Sequence, residues 1–172
     1  MEMTREHTAA VTPSPGRYRI DPASSVVRFR TRHMFGLGPV RGTFAMRAGT
    51  VDITEPLTAS RISAEIEVAS FSTGNSPRDA SVRSARFLDA DQYPVIAYSS
   101  TGLDGRMLAG TLTVREVTRP ADLLVELSDV SPRAFTARAT VRIDRTEFGV
   151  TAQRGLAGRY LDLSVEARCV RS

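Results

Sequence analysis

Apolar and polar residues alternate with a period of two along most of this chain. Val27, Phe29 and Thr31 would share one face of a strand, and Arg28 and Arg30 would share the other. Because successive side chains of a β-strand point to opposite faces, this pattern predicts strands with one buried face. Eight such segments follow one another, near residues 26–33, 40–47, 62–70, 96–100, 108–116, 123–127, 135–143 and 161–169.

An open sheet of this length would leave unpaired edges, which favour aggregation unless the sheet closes. Asp104-Gly105 is a typical hairpin turn between two of the segments. We therefore predict an all-β fold, an up-and-down antiparallel β-barrel of about eight strands. The predicted inner rows contain many small residues, which either leave room for a ligand or relieve crowding where strands cross. They are Gly42, Ala64, Ser70, Gly110, Ala137, Ala139 and Ala167.

One helix interrupts the strand pattern. Ser76 can cap a helix, Pro77 suits its first position and Asp79 can close a capping box. Val82 and Phe87 give this helix an apolar side. The sequence predicts a helix over residues 76–88 near the barrel mouth, where it would gate the interior.

The same region carries a dense motif, and its positions identify a family. They are Phe71, Thr73, Gly74, Arg78, Asp79, Arg83, Ser84, Phe87, Asp89, Tyr93 and Pro94. With three further stretches at 29–44, 110–120 and 143–149, the chain resembles the YceI-like family of lipid-binding proteins over about residues 17 to 170. It departs from the family pattern at Ser81, where a His is usual, at Leu88, where a Phe is usual, and at Glu116, where a Gly is usual.

The resemblance implies a lipocalin-like barrel that holds polyisoprenoid chains, including quinones and prenyl phosphates. Residues 17–172 would form this domain, after a flexible leader at 1–16. The expected function is non-covalent binding of such an amphipathic lipid for storage, shielding or transfer, as a carrier. Some family members pair, so a homodimer is compatible with the resemblance.

Two groups of residues are candidates for ligand contact. The tail would meet the predicted inner rows and the helix motif at Phe29, Phe44, Ile66, Val68, Phe87, Tyr98, Gly110, Leu112, Val114 and Val141. The head group would meet polar residues near one end, at His33, Ser70, Arg78, Arg83 and Arg145. Structural roles stay open for three of these: His33 as a satisfied strand-end residue, Arg83 as the ion-pair partner of Asp79, and Arg145 in a salt bridge across the barrel end.

Two functions from other classes remain as alternatives. The cavity could serve a small enzyme with His33 as acid or base, or the barrel could be a stress or interaction scaffold without ligand. The sequence has no G-x-S-x-G elbow, phosphate-binding loop, dinucleotide fingerprint or H-E-x-x-H. We therefore expect no enzyme, no catalytic residue and no required cofactor. One Cys and two His are too few for a typical metal site, so we expect no metal.

Composition bounds the partners and the location. All 23 basic residues are Arg and the net charge is +4, yet the arginines alternate with apolar positions and there is no Trp, so nucleic acid is not expected. No apolar run reaches the roughly 18 residues of a membrane span. The first residues lack an apolar signal segment, which predicts a cytoplasmic protein. Cys169 lies in an alternating segment and should be a buried, inert thiol.

Overall fold

The computed structural model describes residues 12–32, 38–152 and 158–172. Ten strands and one α-helix make up most of this part of the chain. The strands are β1 (Gly16–Ile20), β2 (Val26–Thr31), β3 (Val40–Ile53), β4 (Arg61–Ser72), β5 (Val95–Asp104), β6 (Met107–Val114), β7 (Val117–Pro120), β8 (Leu123–Ser131), β9 (Ala134–Asp144) and β10 (Tyr160–Arg171). The helix α1 covers Ser76–Arg83, and single 3-10 turns lie at Pro22–Ser24, Leu57–Ala59 and Arg145–Phe148.

The strands close into a ring of eight positions. Going round the ring, β10 pairs with β2, then β3, β4, β5, β6, β8 and β9 follow, and β9 pairs again with β10. Every pairing is antiparallel, and the closing β9–β10 pair runs in unbroken register from Tyr160 opposite Asp144 to Val170 opposite Ala134. This confirms the predicted all-β, lipocalin-like barrel.

The count of ten strands comes from two interrupted positions. β1 and β2 both lie between β10 and β3, and the 3-10 turn at Pro22–Ser24 separates them. β7 and β8 both pair with β6, and only β8 reaches β9. The alternation predicts β2 and β8 but misses β1 and β7, because five and four residues are too few to give a clear alternating pattern.

The interior divides into an upper and a lower cluster of apolar side chains. We call the end of the barrel that carries α1 the upper end, and the end that carries β1 the lower end. Phe29 and Phe71 stack in the upper cluster with ring centroids 5.1 Å apart. Tyr18 and Phe135 meet edge to face in the lower cluster at 4.9 Å.

The helix begins at the predicted residue, Ser76, but differs from its prediction in its cap and its end. Asn75, not Ser76, caps it, since the Asn75 side chain accepts a hydrogen bond from the Arg78 backbone N–H at 3.0 Å. α1 ends at Arg83, so Phe87 and Leu88 lie in the turns that follow it. The helix is shorter because the chain turns at Ser84, whose backbone N–H donates to the Ser81 carbonyl.

The ordered wall begins earlier than the predicted domain boundary. Gly16 already belongs to β1, and Pro13 is fully buried. Residues 1–11, which make up the rest of the predicted leader, lie outside the described residues.

Candidate functional site

The barrel encloses two apolar cavities, one above the other. The upper cavity has a volume of about 110 Å³ and the lower cavity about 90 Å³. Four side chains border both and form a central constriction between them: Val27, Ile66, Leu112 and Leu163. A ligand longer than one cavity must therefore pass this constriction.

Aromatic rings dominate the wall of the upper cavity. Five of its lining residues are phenylalanines, Phe29, Phe44, Phe71, Phe87 and Phe148. Val82 of α1 and Leu88 close it from the helix side. Arg145 is the one charged side chain among the described residues that line it.

Small residues make room in the lower cavity. Ala64, Ala137, Ala139 and Ala167 all line it. The prediction that small inner residues leave space is confirmed at these four positions.

The same prediction is wrong at the two inner glycines. A Cβ placed on Gly42 would meet the ring of Phe29, at 2.5 Å from Cε1, and one placed on Gly110 would lie 2.5 Å from Cζ of Tyr98. The rings of neighbouring strands already fill these sites. Gly110 therefore lines neither cavity, and its proposed contact with a tail is not supported by its position.

The other predicted tail residues lie inside the barrel, with one difference. Val68 is buried in the upper cluster but borders neither cavity. Of the remaining eight, Phe29, Phe44, Phe87 and Val114 line the upper cavity, Tyr98 and Val141 the lower, and Ile66 and Leu112 both. Their contact with a ligand stays a prediction.

Two side chains of the lower cavity can ionise, and burial suppresses both. Desolvation raises the pKa of the Tyr98 phenol to about 12 and that of the Cys169 thiol to about 12. The Tyr98 hydroxyl donates to the carbonyl oxygens of Leu108 at 3.3 Å and Ala121 at 3.1 Å. Cys169 has no exposed surface, which confirms the predicted buried thiol. Both groups are neutral near pH 7, so the lower cavity is uncharged.

Arg145 occupies the upper end of the upper cavity. Its guanidinium donates to the carbonyl oxygens of Gly158 at 2.8 Å, Val150 at 2.8 Å and Ala152 at 2.9 Å. The Phe87 ring lies under it, 5.8 Å from the guanidinium carbon. Arg145 is 8% exposed and borders the apolar space, and its salt bridge across the barrel end stays a prediction. A buried cation held by carbonyl dipoles can attract an anionic head group.

The helix is anchored by Asp79, though not in the predicted way. The Asp79 carboxylate accepts hydrogen bonds from the backbone N–H of Thr73 at 3.0 Å and from its hydroxyl at 2.5 Å. Arg83 donates to the Asp79 backbone carbonyl, so the predicted Asp79–Arg83 ion pair is wrong. Arg78 donates to the same Thr73 hydroxyl at 2.9 Å. Neither Arg78 nor Arg83 borders a cavity, so both serve to hold α1 on the end of β4.

Ser70 does not face the interior. The pairing of β3 with β4 shifts register near it, between Thr43 and Ala45. The Ser70 hydroxyl accepts from the Ala45 N–H at 2.7 Å and donates to the Glu67 carbonyl at 2.5 Å. This bulge turns Phe71 inward in its place. Ser70 is thus a structural residue of the bulge, which corrects its prediction as a head-group ligand.

His33 lies outside the described residues. Sequence reasoning missed several lining residues of the upper cavity, among them Phe71, Phe148 and Leu161. Phe71 and Phe148 stand in the motifs that carry the family resemblance, and that was the signal available for them.

The described part of the chain offers no metal site, and no helix there has the length and apolar character needed to cross a membrane. Within residues 12–32, 38–152 and 158–172, no three His, Cys, Asp or Glu side chains gather in a way that could hold a metal ion.

Comparison with known proteins agrees with this architecture. A family model described as the YceI-like domain matches residues 18–169. Protein YceI of Salmonella arizonae is 27% identical over 166 residues, with 90% of this chain and 86% of that protein covered. Among solved structures, BcnA of Burkholderia cenocepacia is similar with a TM-score of 0.74 at 19% identity, covering 87% of this chain and 98% of that one. A polyisoprenoid binding domain from Saccharophagus degradans is similar with a TM-score of 0.68 at 13% identity, covering 92% of this chain and 100% of that one. These structural likenesses show a shared fold.

Proposed function

This chain belongs to the YceI-like family, and we propose that it binds the tail of a polyisoprenoid or similar amphipathic lipid, of the quinone or prenyl phosphate type, inside the barrel. Binding would be non-covalent and would serve storage, shielding or transfer. The observation that carries the proposal is the pair of apolar cavities stacked along the barrel, with Arg145 at the upper end. The similar domain from Saccharophagus degradans is a polyisoprenoid binding domain, which supports the proposal.

A tail must move side chains to occupy both cavities. Their volumes of about 110 and 90 Å³ take only a short apolar segment as they stand. An isoprene unit taken from water contributes roughly 3 to 4 kcal/mol, counted at about 0.8 kcal/mol for each CH₂-sized group. The free energy needed to rotate Leu112 or Leu163 out of the central constriction is smaller than the free energy gained by burying a few isoprene units. A long tail is therefore a better ligand than a short one.

The chemistry of the lining favours binding over catalysis. Tyr98 and Cys169 are the ionisable groups among the described residues of the lower cavity, and both have a pKa raised to about 12. A neutral buried thiol is a poor nucleophile. The interior is suited to hold an apolar chain and leave it unchanged.

Native mass spectrometry of the purified protein, followed by titration with a prenol of increasing length, tests the proposal. We expect a stoichiometric complex and an affinity that rises with tail length until the barrel is filled. A prenyl phosphate should bind more tightly than the matching prenol if its head group reaches Arg145. Failure of every prenol, prenyl phosphate and quinone to bind at micromolar protein would contradict the proposal.

A matched pair of variants locates the site. Ala139→Leu places a larger side chain in the lower cavity, where space exists, and should shorten the longest tail that binds. Ala97→Leu makes the same change on β5 at a position that borders neither cavity, and should leave tail length unaffected. Equal effects of the two variants would mean that the ligand lies elsewhere.

A further inference from the structure

The outer surface of the barrel carries a concentrated patch of arginines on one side. We call it the arginine face. It consists of the exposed side chains of Arg28, Arg30, Arg32, Arg41, Arg142 and Arg159, on or beside β2, β3, β9 and β10. Nothing in the proposed binding of a tail inside the barrel uses these residues.

The pairing register brings like charges together on this face. Arg41 lies directly opposite Arg30, Arg30 lies opposite Asp162, and Asp162 lies opposite Arg142. One cross-strand row thus holds three arginines and a single carboxylate. Like charges directly opposite each other on neighbouring strands destabilise a sheet. An arrangement with that cost suggests a partner that neutralises it.

Only half of the arginine face has an acidic partner. Arg142 pairs with Asp162 at 2.8 Å, Arg159 with Asp144 at 2.8 Å, and Arg28 with Glu166 at 3.5 Å. Among the described residues, Arg30, Arg32 and Arg41 lie within 4 Å of no carboxylate. The Arg142 hydrogen bond, together with the charges of Arg142, Arg30 and Arg32, holds the pKa of Asp162 below its usual range against the effect of burial. Asp162 is therefore ionised near neutral pH, and the face stays positive because its six arginines outnumber the three carboxylates that pair with them.

The face is shaped as two connected grooves. One has a volume of about 800 Å³ and is flanked by hydroxyl side chains such as Thr43, Thr140 and Ser164. The other has a volume of about 470 Å³ and contains Tyr160. Arg30, Arg142 and Asp162 border both grooves.

The opposite wall of the barrel has a different character. Its outward rows on β4, β5 and β6 carry Ser63, Ser99 and Thr111 in one register row, and Glu65, Ala97 and Thr113 in the next. These two rows hold no arginine, whereas the row through Arg41, Arg30 and Arg142 holds three, so positive charge is denser on the arginine face.

We infer that the arginine face docks on an anionic phospholipid bilayer. This inference rests on the proposed function, because a carrier that collects a lipid tail from a bilayer must first bind to that bilayer. Arg30, Arg32 and Arg41 would neutralise phosphate groups, and the hydroxyls beside them would donate to phosphate oxygens.

Two observations favour a bilayer over another polyanion. Tyr160 is 49% exposed, and the guanidinium groups of Arg142 and Arg159 lie 5.9 and 5.3 Å from its ring centre. An exposed Tyr among arginines is typical of the membrane interface, where its ring sits at the head-group level. Gly158 borders both the outer groove that contains Tyr160 and the upper cavity, so the arginine face adjoins the apolar interior. An adjoining apolar interior would not contribute to the binding of a nucleic acid.

Vesicle flotation with the full chain tests the inference without any isoprenoid. Phosphatidylcholine vesicles with and without 30% phosphatidylglycerol give the two arms. Each basic residue close to an anionic bilayer strengthens binding about fivefold, so Arg30→Gln with Arg41→Gln should weaken binding to anionic vesicles about 25-fold. Arg61→Gln with Arg119→Gln removes the same charge from exposed positions on β4 and β7, and should weaken binding no more than about twofold.

A fluorescence probe reports the orientation of the docked protein. The chain has no Trp, so Tyr160→Trp introduces a single one at the arginine face. Its emission should shift to the blue on anionic vesicles, whereas Met107→Trp, at a 44% exposed position on the β5–β6 hairpin, should show no shift.

The outcomes separate the two proposals. Equal weakening by the two double variants, equal binding to neutral vesicles, or tighter binding to a 20-nucleotide DNA strand than to anionic vesicles would overturn the docking surface. None of these results bears on whether a prenol enters the barrel in a vesicle-free titration. Conversely, a protein that docks but takes up no prenol would overturn the carrier function and leave the docking surface standing.

Discussion

Gly110 illustrates how a single residue defines the interior of this barrel. Its Cα faces inward, but the phenol ring of Tyr98 covers it, and a Cβ would also lie 2.7 Å from the Ser99 carbonyl oxygen. Gly102, on the neighbouring strand, has no heavy atom within 4 Å of the same added atom. The two glycines therefore give a matched pair of positions for substitution, because the space for a Cβ is filled at Gly110 and open at Gly102.

We expect Gly110→Ala to lower the free energy of unfolding by about 1–3 kcal/mol, because the added methyl group overpacks the contact with Tyr98. Gly102→Ala should change it by less than about 0.5 kcal/mol. Urea unfolding of both variants checks this. A neutral Gly110→Ala would mean that the Tyr98 ring moves aside easily and that the wall is softer than its contacts indicate.

Tyr98 and Cys169 also make the fold sensitive to alkali. Burial raises the pKa of each to about 12 in the folded protein, from ordinary values of 10.0 and 9.0. Above pH 9 the unfolded chain therefore releases protons that the folded chain retains, which favours unfolding. We expect stability to fall as the pH rises from about 9 towards 12. In Tyr98→Phe with Cys169→Ala this slope should become shallower, as measured by thermal unfolding across that range. An unchanged slope would assign the alkaline loss to other groups.

At the scale of elements, the segment over the upper cavity is held by polar contacts at its edges and by apolar side chains that face the cavity. We call residues 76–92, which comprise α1 and the turns after it, the lid. Asp79 fixes its start to Thr73, and Arg115 donates to the Phe87 carbonyl at 3.3 Å. Just beyond it, the Tyr93 hydroxyl donates to Glu116 at 2.6 Å, which raises the pKa of the phenol. Four apolar side chains of the lid, Val82, Phe87, Leu88 and Ala90, also pack on the upper cluster, so opening the lid would break these hydrogen bonds and expose these side chains.

Amide hydrogen exchange should reveal such opening. We expect exchange over residues 74–92 to slow when a prenol is bound and to quicken when it is stripped. Phe87→Ala, which removes a wall of the upper cavity, should speed ligand release, whereas Arg86→Ala changes an exposed neighbour and should not. Identical exchange with and without ligand would make the lid a fixed plug.

The central constriction should set the affinity for long tails. Leu112→Ala joins the two cavities, and we expect it to cost about 2–5 kcal/mol of stability. The same change spares a long ligand the work of displacing the leucine. Titration with prenols of graded length should show the gain only for tails long enough to pass the constriction. A gain that is equal for short tails would place the binding site in one cavity alone.

At the scale of the whole molecule, the strand pattern was sufficient to predict the architecture but not the shape of the interior. Alternation along β2 and β9 fixes which residues point inward, and closure follows from the need to cover sheet edges. The space that remains depends on which side chain of the adjacent strand lies opposite. Phe29 lies directly opposite Gly42, and its ring fills the space next to the glycine. The pattern within one strand cannot predict this, because it does not show which residues pair across strands.

Local irregularities account for most of the remaining differences at the site. The bulge at Ser70 shifts the inward face to Phe71, and a period of two cannot anticipate a shifted register. Asp79 and Arg83 have the spacing of an ion pair, yet Thr73 offers the carboxylate two donors from the end of β4. A contact between the end of one element and the start of the next, such as Thr73 with Asp79, is outside what helical spacing predicts.

The pairing of β10 with β1 and β2 forms late in co-translational folding, because it joins residues near opposite ends of the barrel domain. Arg171 bonds to Pro15, 156 positions away, and Arg168 bonds to Ser25 across 143 positions. Until β10 has emerged, β2 is paired only with β3 and β9 only with β8, so each presents one unpaired hydrogen-bonding edge. The nascent sheet therefore stays open until residues 160–171 have been made, so translation speed and chaperone supply should govern the yield more than the stability of the closed barrel.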